Sequence, residues 1–387
     1  MRGHGQTTWP RFAWPCYPPG DGLNAETQRS LRRKEFITSS LRSLRLCVPS
    51  FWGRLAGHVW LVLAVACLAA SGCARDSERT VTVYSSVDET FGREVLAKYK
   101  SRTGVRVDVI FDSEAGKTTG LIQRIRLERD RPRADVFWSS ELFGTILLAR
   151  EGLLAPYDPP AASDIPPRYR DAEHRWTAFG LRGRVLAFDP ARIQVQEVPT
   201  TWQSVAEPGA AAKLAFANPL FGTTRGHVAA MFALWGPERA TAWLKELRAN
   251  GARMVDGNST AVRELAQGHV ALAATDTDDV RVANRKGARL EMAYPDLGDG
   301  GTLLIPNSVA VLTGAPNPQA AQALVDYLVS AEVEEMLARS DSGNVPVRGP
   351  LREKLGLALP PESKVSYEAV ADAMDEAVAA VREILVR

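Results

Sequence analysis

From Arg79 onward the apolar and polar positions alternate between two rhythms. Thr80-Val-Thr-Val-Tyr84 reads as a buried strand, and about Asp88 to Arg102 has the spacing of a helix. Val105–Phe111 alternates like a strand, and Thr119–Arg129 is again helical. Ala134-Asp-Val-Phe-Trp138 is a further strand, followed by a helix over Glu141–Glu151 that stops near Gly152. The Pro-rich stretch Pro156–Pro167 predicts a loop.

A second series follows. Lys213-Leu-Ala-Phe216, Ala252-Arg-Met-Val255, Val270-Ala-Leu-Ala-Ala274 and Arg289-Leu-Glu-Met292 read as strands. Thr224–Leu234, Pro237–Asn250, Thr260–Gln267 and a stretch from Thr277 read as helices. Leu303–Leu312 is a long apolar strand, and helices over about Pro318–Val329, Ala331–Ala338 and Tyr367–Leu385 complete the chain. Strands alternating with helices predict an α/β fold of parallel, doubly wound sheets, with ligands beyond the carboxyl ends of the strands. Those ends lead into Ser85-Ser86-Val87-Asp88, Asp112-Ser113-Glu114-Ala115-Gly116 and Ser139-Ser140-Glu141, all small and polar.

The first 73 residues behave differently. Leu55–Ala70 is an uncharged, mostly apolar run, too short for a membrane span of about 20 residues and suited to a signal peptide. It ends in Ala70-Ser71-Gly72-Cys73, which resembles the bacterial lipobox, with Cys73 as the lipidated residue; Ala70 stands where Leu is commonest. Residues 1–47 lack periodicity, so the true start is expected near Val48, and the alternative is a disordered extension. The expected partition is a leader over 1–72 (signal peptide 48–72), a lipid-anchor linker over 73–79, one lobe from 80–178 plus 306–387, and a second over 179–305.

Charge sharpens this division. Lys and Arg number 47 against 45 Asp and Glu, a formal +2. Residues 1–54 hold nine basic and three acidic side chains, which leaves −4 on the remainder. An acidic body excludes a nucleic-acid binder driven by bulk positive charge. All four cysteines, Cys16, Cys47, Cys67 and Cys73, lie in the leader region, so the body can form no disulfide. It shows no Ser/His/Asp elbow, P-loop or Cys/His cluster, so no enzyme is expected. His174, His227 and His269 stand at unrelated places and are expected on the surface or facing a helix.

Several blocks resemble one family. Thr82-Val-Tyr-Ser-Ser86, Ala134-Asp-Val-Phe-Trp-Ser-Ser140, Ala217-Asn-Pro-Leu-Phe-Gly-Thr-Thr224 and Ser308–Ala321, with a helix ending Val329-Ser330-Ala331-Glu332, are similar to bacterial solute-binding proteins of ABC importers. The resemblance lies with the ferric-iron-binding branch of the type II periplasmic binding proteins. It implies two α/β lobes, each a sheet flanked by helices, linked by two crossing hinge strands near Thr177–Arg184 and Leu303–Ala310. A ligand then lies between lobes that close by hinge motion. It also implies an ABC permease and its ATPase as partners, a monomer, and an exported location in the periplasm or on the outer face of the envelope, tethered by lipid.

The ligand set departs from that branch. Ferric-binding members carry two adjacent tyrosines after a second-lobe strand; here Asp278 and Asp279 occupy those places within Thr275-Asp276-Thr277-Asp278-Asp279. Asp88 falls at the position of the usual histidine, and the usual acid falls at Ser140, beside Glu141. Two readings follow. Asp88, Glu141, Asp278 and Asp279 could converge on iron(III), another hard metal ion or an organic ammonium, through oxygen. Alternatively the hydroxyls and helix N-termini at Ser85, Ser86, Ser139, Ser140, Thr223 and Thr224 could bind an oxyanion or phosphonate, or a companion anion beside a metal; Ser113 and Asp276 are further ligand-binding candidates. No firmly held cofactor is expected. Carboxylates repel an anion, which would need a cation or Arg225 beside it. Helix capping alone would also account for the acids after Thr277. A sensory module and an enzyme on the same frame are the remaining classes; Tyr84 is expected in the core.

Overall fold

Two long strands, buried along their whole length, run through the centre of the protein. The computed structural model describes residues 80–112, 116 and 118–385; the leader, Cys73 and Ser113 lie outside them. The first unit comprises β1 (Thr80–Ser85), α1 (Glu89–Thr103), β2 (Arg106–Phe111), α2 (Thr119–Leu127), β3 (Val136–Ser139), α3 (Phe143–Arg150) and the short β4 (Leu154–Ala155). The chain then enters β5 (Thr177–Phe188). The second unit adds α4 (Pro208–Ala211), β6 (Leu214–Ala217), α5 (Gly222–Trp235), α6 (Pro237–Ala249), β7 (Arg253–Val255), α7 (Asn258–Ala266), β8 (Leu272–Asp276), α8 (Thr277–Arg285) and β9 (Glu291–Ala293). β10 (Leu304–Leu312) returns, followed by α9 (Pro318–Leu328), α10 (Ala331–Arg339), α11 (Gly349–Leu355), α12 (Tyr367–Asp372) and α13 (Met374–Leu385).

The strand order is β2-β1-β3-β10-β5-β8-β6-β7, with β4 on β10 and β9 on β5. The outer triplets are parallel within themselves, which requires crossover connections, here helical, whereas the β3–β10, β10–β5 and β5–β8 pairs are antiparallel. β5 is the hinge element. Its first half, Thr177–Gly183, pairs with β10, and its second half, Arg184–Phe188, pairs with β8. Every residue of β5 and β10 is buried, which explains their near-continuous apolar sequence.

The crossing is irregular. The β5–β10 register shifts between Pro306 and Asn307, and Gly180 has φ +60°, a conformation that favours glycine. The displaced backbone is satisfied by side chains. Gly180 N–H donates to Glu334 Oε1 at 3.0 Å, and Asn307 Nδ2 donates to Gly180 O at 2.9 Å. Glu334, fully buried on α10, also accepts from Val347 N at 2.8 Å and Arg348 Nη1 at 2.9 Å. A buried carboxylate so completely bonded fixes the bend in place.

Most element boundaries fall within two residues of the expected ones. The expected helix over Tyr367–Leu385 is interrupted at Ala373, and the Pro156–Pro167 loop contains a 3-10 turn over Pro160–Ala162, where proline sets the first helical position. The tail lies across the expected partition. α12 and α13 pack on α5 and α6 of the second unit, and α12 also on α3 of the first, so this segment straddles both units. Arg150 Nη1 donates to Asp372 Oδ1 at 2.6 Å, and Arg248 donates to the Ile384 carbonyl. A run of apolar positions specifies a helix but not the surface that buries it.

Helices α3 and α5 meet closely at Gly226, where an added Cβ would lie 2.2 Å from the Phe143 ring. Gly226→Ala should therefore cost about 1–3 kcal/mol through overpacking, seen as a lower urea midpoint with an unchanged slope.

Candidate functional site

β5 carries two arginines inside the protein. Arg182 and Arg184 are two residues apart and so project to the same side of the strand. They are 6% and 0% exposed, a situation tolerated only when the charges are matched. The match comes from the end of β8 and the first turn of α8. Arg184 Nη1 lies 2.8 Å from Asp276 Oδ1, and Arg182 Nη1 lies 3.2 Å from Asp278 Oδ2.

A polar web surrounds Asp276. Its Oδ2 accepts from Thr223 Oγ1 at 2.5 Å and from Asn258 Nδ2 at 2.9 Å. Asn258 Oδ1 accepts from Arg184 Nη1 at 3.2 Å and Thr224 Oγ1 at 3.0 Å. The web thus joins β5, β8 and the N-termini of α5 and α7. On the far side of Arg184, Nε donates to His227 Nδ1 at 3.4 Å. His227 is fully buried, and burial followed by Arg184 pushes its pKa well below the usual value, so it stands there as a neutral acceptor.

Asp276, Asp278 and Asp279 offer oxygens that lie within 4.8 Å of one another. They line a cleft with Asp88, Ser140, Arg182, Asn218, Phe221, Gly222, Thr223, Thr224, Asp256, Gly257 and Asn258. Five carboxylates face two buried arginines, Arg182 in the lining and Arg184 behind it, a formal −3. Burial alone would lower the pKa of Arg182. The fields of Asp278, Asp276, Asp88 and Asp279 together outweigh it and hold that pKa above its ordinary value.

Of the expected site residues, Asp88, Ser140, Thr223, Thr224, Asp276, Asp278 and Asp279 share this cleft, and Ser85, Ser86, Ser139 and Glu141 do not line it. The serines wire the loops together. Ser86 Oγ accepts from Ser140 N at 2.9 Å and from Thr118 Oγ1 at 3.1 Å, Ser139 Oγ lies 3.3 Å from it, and Ser85 Oγ accepts from Val87 N at 3.4 Å. Glu141 turns inward and accepts the Gly144 N–H with both oxygens, at 3.2 and 3.1 Å. It is 1% exposed, and burial raises its pKa against the opposing pull of Arg225. Thr277 receives the Gly183 N–H at 3.2 Å, so it braces α8 against β5. Tyr84 is fully buried, with its hydroxyl donating to Glu128 Oε2 at 2.7 Å and its pKa pushed up to about 12 by burial and Glu128. His174 and His269 pair with Asp158 and Glu264, away from the cleft.

Two consequences can be measured. Arg184→Met removes one partner of a buried pair and leaves Asp276 uncompensated, a loss of about 3–5 kcal/mol in urea unfolding. For Glu141 the raised folded pKa means that its contribution is present below the unfolded carboxyl pKa and is lost as pH rises through the folded value. Glu141→Gln should therefore flatten the decline in stability from acid to neutral pH, followed by thermal unfolding across that window.

Comparison with known proteins gives this arrangement a context. A family model described as bacterial extracellular solute-binding protein matches residues 80–340. The iron uptake protein A1 of Synechocystis sp. is 24% identical over 319 residues, covering 76% of this chain and 87% of that protein. The major ferric iron-binding protein of Neisseria meningitidis is 26% identical over 286 residues, covering 72% and 83%. The crystal structure of iron-bound HitA from Pseudomonas aeruginosa superimposes with a TM-score of 0.71 at 25% identity, covering 79% of this chain and 99% of that one. The two-lobed architecture with crossing hinge strands, and the match across two thirds of the sequence, place the chain among the bacterial extracellular solute-binding proteins.

Proposed function

We propose that the protein is the substrate-binding lipoprotein of an ABC importer and that it captures iron(III), or a ligand containing such a cation, between its lobes. The observation that carries this reading is the convergence of Asp276, Asp278 and Asp279 with Asp88 and Asp256 in one cleft. At 4 Å and an effective dielectric near 20, each carboxylate attracts a unit positive charge by roughly 4 kcal/mol and repels an anion equally. Arg182 and Arg184 offset two of the five charges, and the cleft as a whole keeps a formal −3. Carboxylate oxygens are hard donors and suit a trivalent cation. The relatives' names point to the same ligand class.

Asp88, Asp278 and Asp279 are the oxygens we assign to the cation; Glu141 is withdrawn from that set because its carboxylate is engaged within the first unit. Arg182 and the α5 N-terminus at Gly222-Thr223-Thr224 offer a place for a companion anion. An oxyanion or phosphonate as sole ligand is disfavoured by the acidic lining. The lobes are residues 80–178 with 306–366, and 179–305, with the tail from Tyr367 packed across both. Export, a lipid on Cys73, a monomeric state, and delivery to a permease and its ATPase complete the proposal. No described helix is long and apolar enough to cross a membrane.

Thermal shift against iron(III) with and without citrate or phosphate, divalent metals, polyamines and phosphonates tests the ligand class. Binding at a hundredfold excess over Kd stabilises by about 2.7 kcal/mol. Asp88→Asn and Asp279→Asn should each weaken iron(III) binding about tenfold or more, with unliganded unfolding followed alongside so that affinity is read on folded protein. Stabilisation by phosphonates alone, or unchanged iron(III) affinity in both variants, would reject the assignment.

A further inference from the structure

The first unit carries a second charged feature, at the opposite end of its strands from the cleft. Between α2 and β3 the chain reads Leu127-Glu-Arg-Asp-Arg-Pro-Arg133. Arg129, Asp130, Arg131 and Arg133 are exposed, and Leu127 is 86% exposed. Glu128 is drawn away by Tyr84 and Arg124, at 2.7 and 2.9 Å. The tip therefore presents three arginines against one aspartate beside a bare leucine, on a body whose overall charge is acidic.

Its position follows from the register. Val83 pairs with Val136 and Thr80 with Arg106, so counting back three residues sets Arg133 level with Thr80 at the edge where β1 begins. Cys73 stands seven residues before Thr80, a reach of at most about 25 Å. Asp88 and Ser140 lie at the other ends of β1 and β3, about 20 Å away along a six-residue strand.

We propose that Leu127, Arg129, Arg131 and Arg133 form a docking surface for anionic phospholipid headgroups of the membrane that holds the protein. The arginines meet the negative surface potential and the leucine enters the interface, the combination used by interfacial anchors. The inference rests on the tethered reading above, because each basic side chain near such a surface is worth only about fivefold in partition and the patch needs a tether to hold it close. Docked this way, the strand ends bearing Asp88 and Ser140 face away from the bilayer. The orientation is one in which the protein waits for solute, and it must be released before the cleft can meet a permease.

The test uses the chain purified from its own membranes and reconstituted into neutral phosphatidylcholine vesicles or vesicles with added phosphatidylglycerol. Trypsin cleavage after exposed Arg129 is timed against cleavage after Lys286, which is exposed in the second unit. We expect cleavage at Arg129 to slow about tenfold or more on anionic vesicles only, and the effect to vanish as salt shortens the Debye length from about 30 to 8 Å. Arg131→Glu combined with Arg133→Glu keeps the cleavage site and should abolish the protection; Leu127→Asp should reduce it severalfold. Equal rates on both vesicle types, undiminished protection in the double variant, or protection only with a permease present or at high protein density would overturn the proposal. The mass of the N-terminal peptide reports separately whether Cys73 carries lipid, so a failed patch and a failed anchor give different results.

Discussion

The pairing of two buried arginines with two aspartates organises this protein. Arg182 and Arg184 sit on the strand that both units share, and their charges could not be placed there without Asp278 and Asp276. That requirement fixes where α8 begins, draws Thr223 and Asn258 into hydrogen-bond range, and so brings the N-termini of α5, α7 and α8 to one cleft. The same pairing consumes part of the negative charge that the sequence concentrates between Thr275 and Asp279. The surplus is smaller than the sequence suggests, and the acids that line the cleft come from three separate segments, at Asp88, at Asp256 and over Asp276–Asp279.

The alternation of strands and helices was legible because central strands buried on both faces must be apolar and the crossover helices must be amphipathic. The Asp cluster was legible because three carboxylates in four residues repel one another and call for counter-charge. Arg182 and Arg184 were not. Arg-Gly-Arg within an apolar run carries no local mark of burial, and their partners stand more than ninety residues away. Asp256 and Asn258 entered the cleft by the same route, through long-range pairing of β6 with β7 and β8.

Glu141 shows a different limit. A carboxylate after a strand end can turn toward the ligand or toward the backbone N–H groups of the next helix, and both choices satisfy it. Here the helix begins at Phe143, and the Gly144 N–H captures both oxygens. The serines at the ends of β1 and β3 behave similarly: their hydroxyls bond one another and fix the loops that present Asp88 and Ser140.

Arg182 has one more bond. Its Nη2 donates to Asn307 Oδ1 at 2.7 Å, and Asn307 is the residue at which the register of the two crossing strands slips. One guanidinium therefore touches both a carboxylate that borders the cleft and the amide that supports the bend. If the cleft is the ligand site proposed above, linkage makes this reciprocal: any factor by which binding favours one geometry of the bend returns as the same factor in affinity when the bend is altered. On that proposal, substitutions at Asn307 or Gly180, which do not line the cleft, become a means of setting how tightly the cargo is held and how readily it is let go.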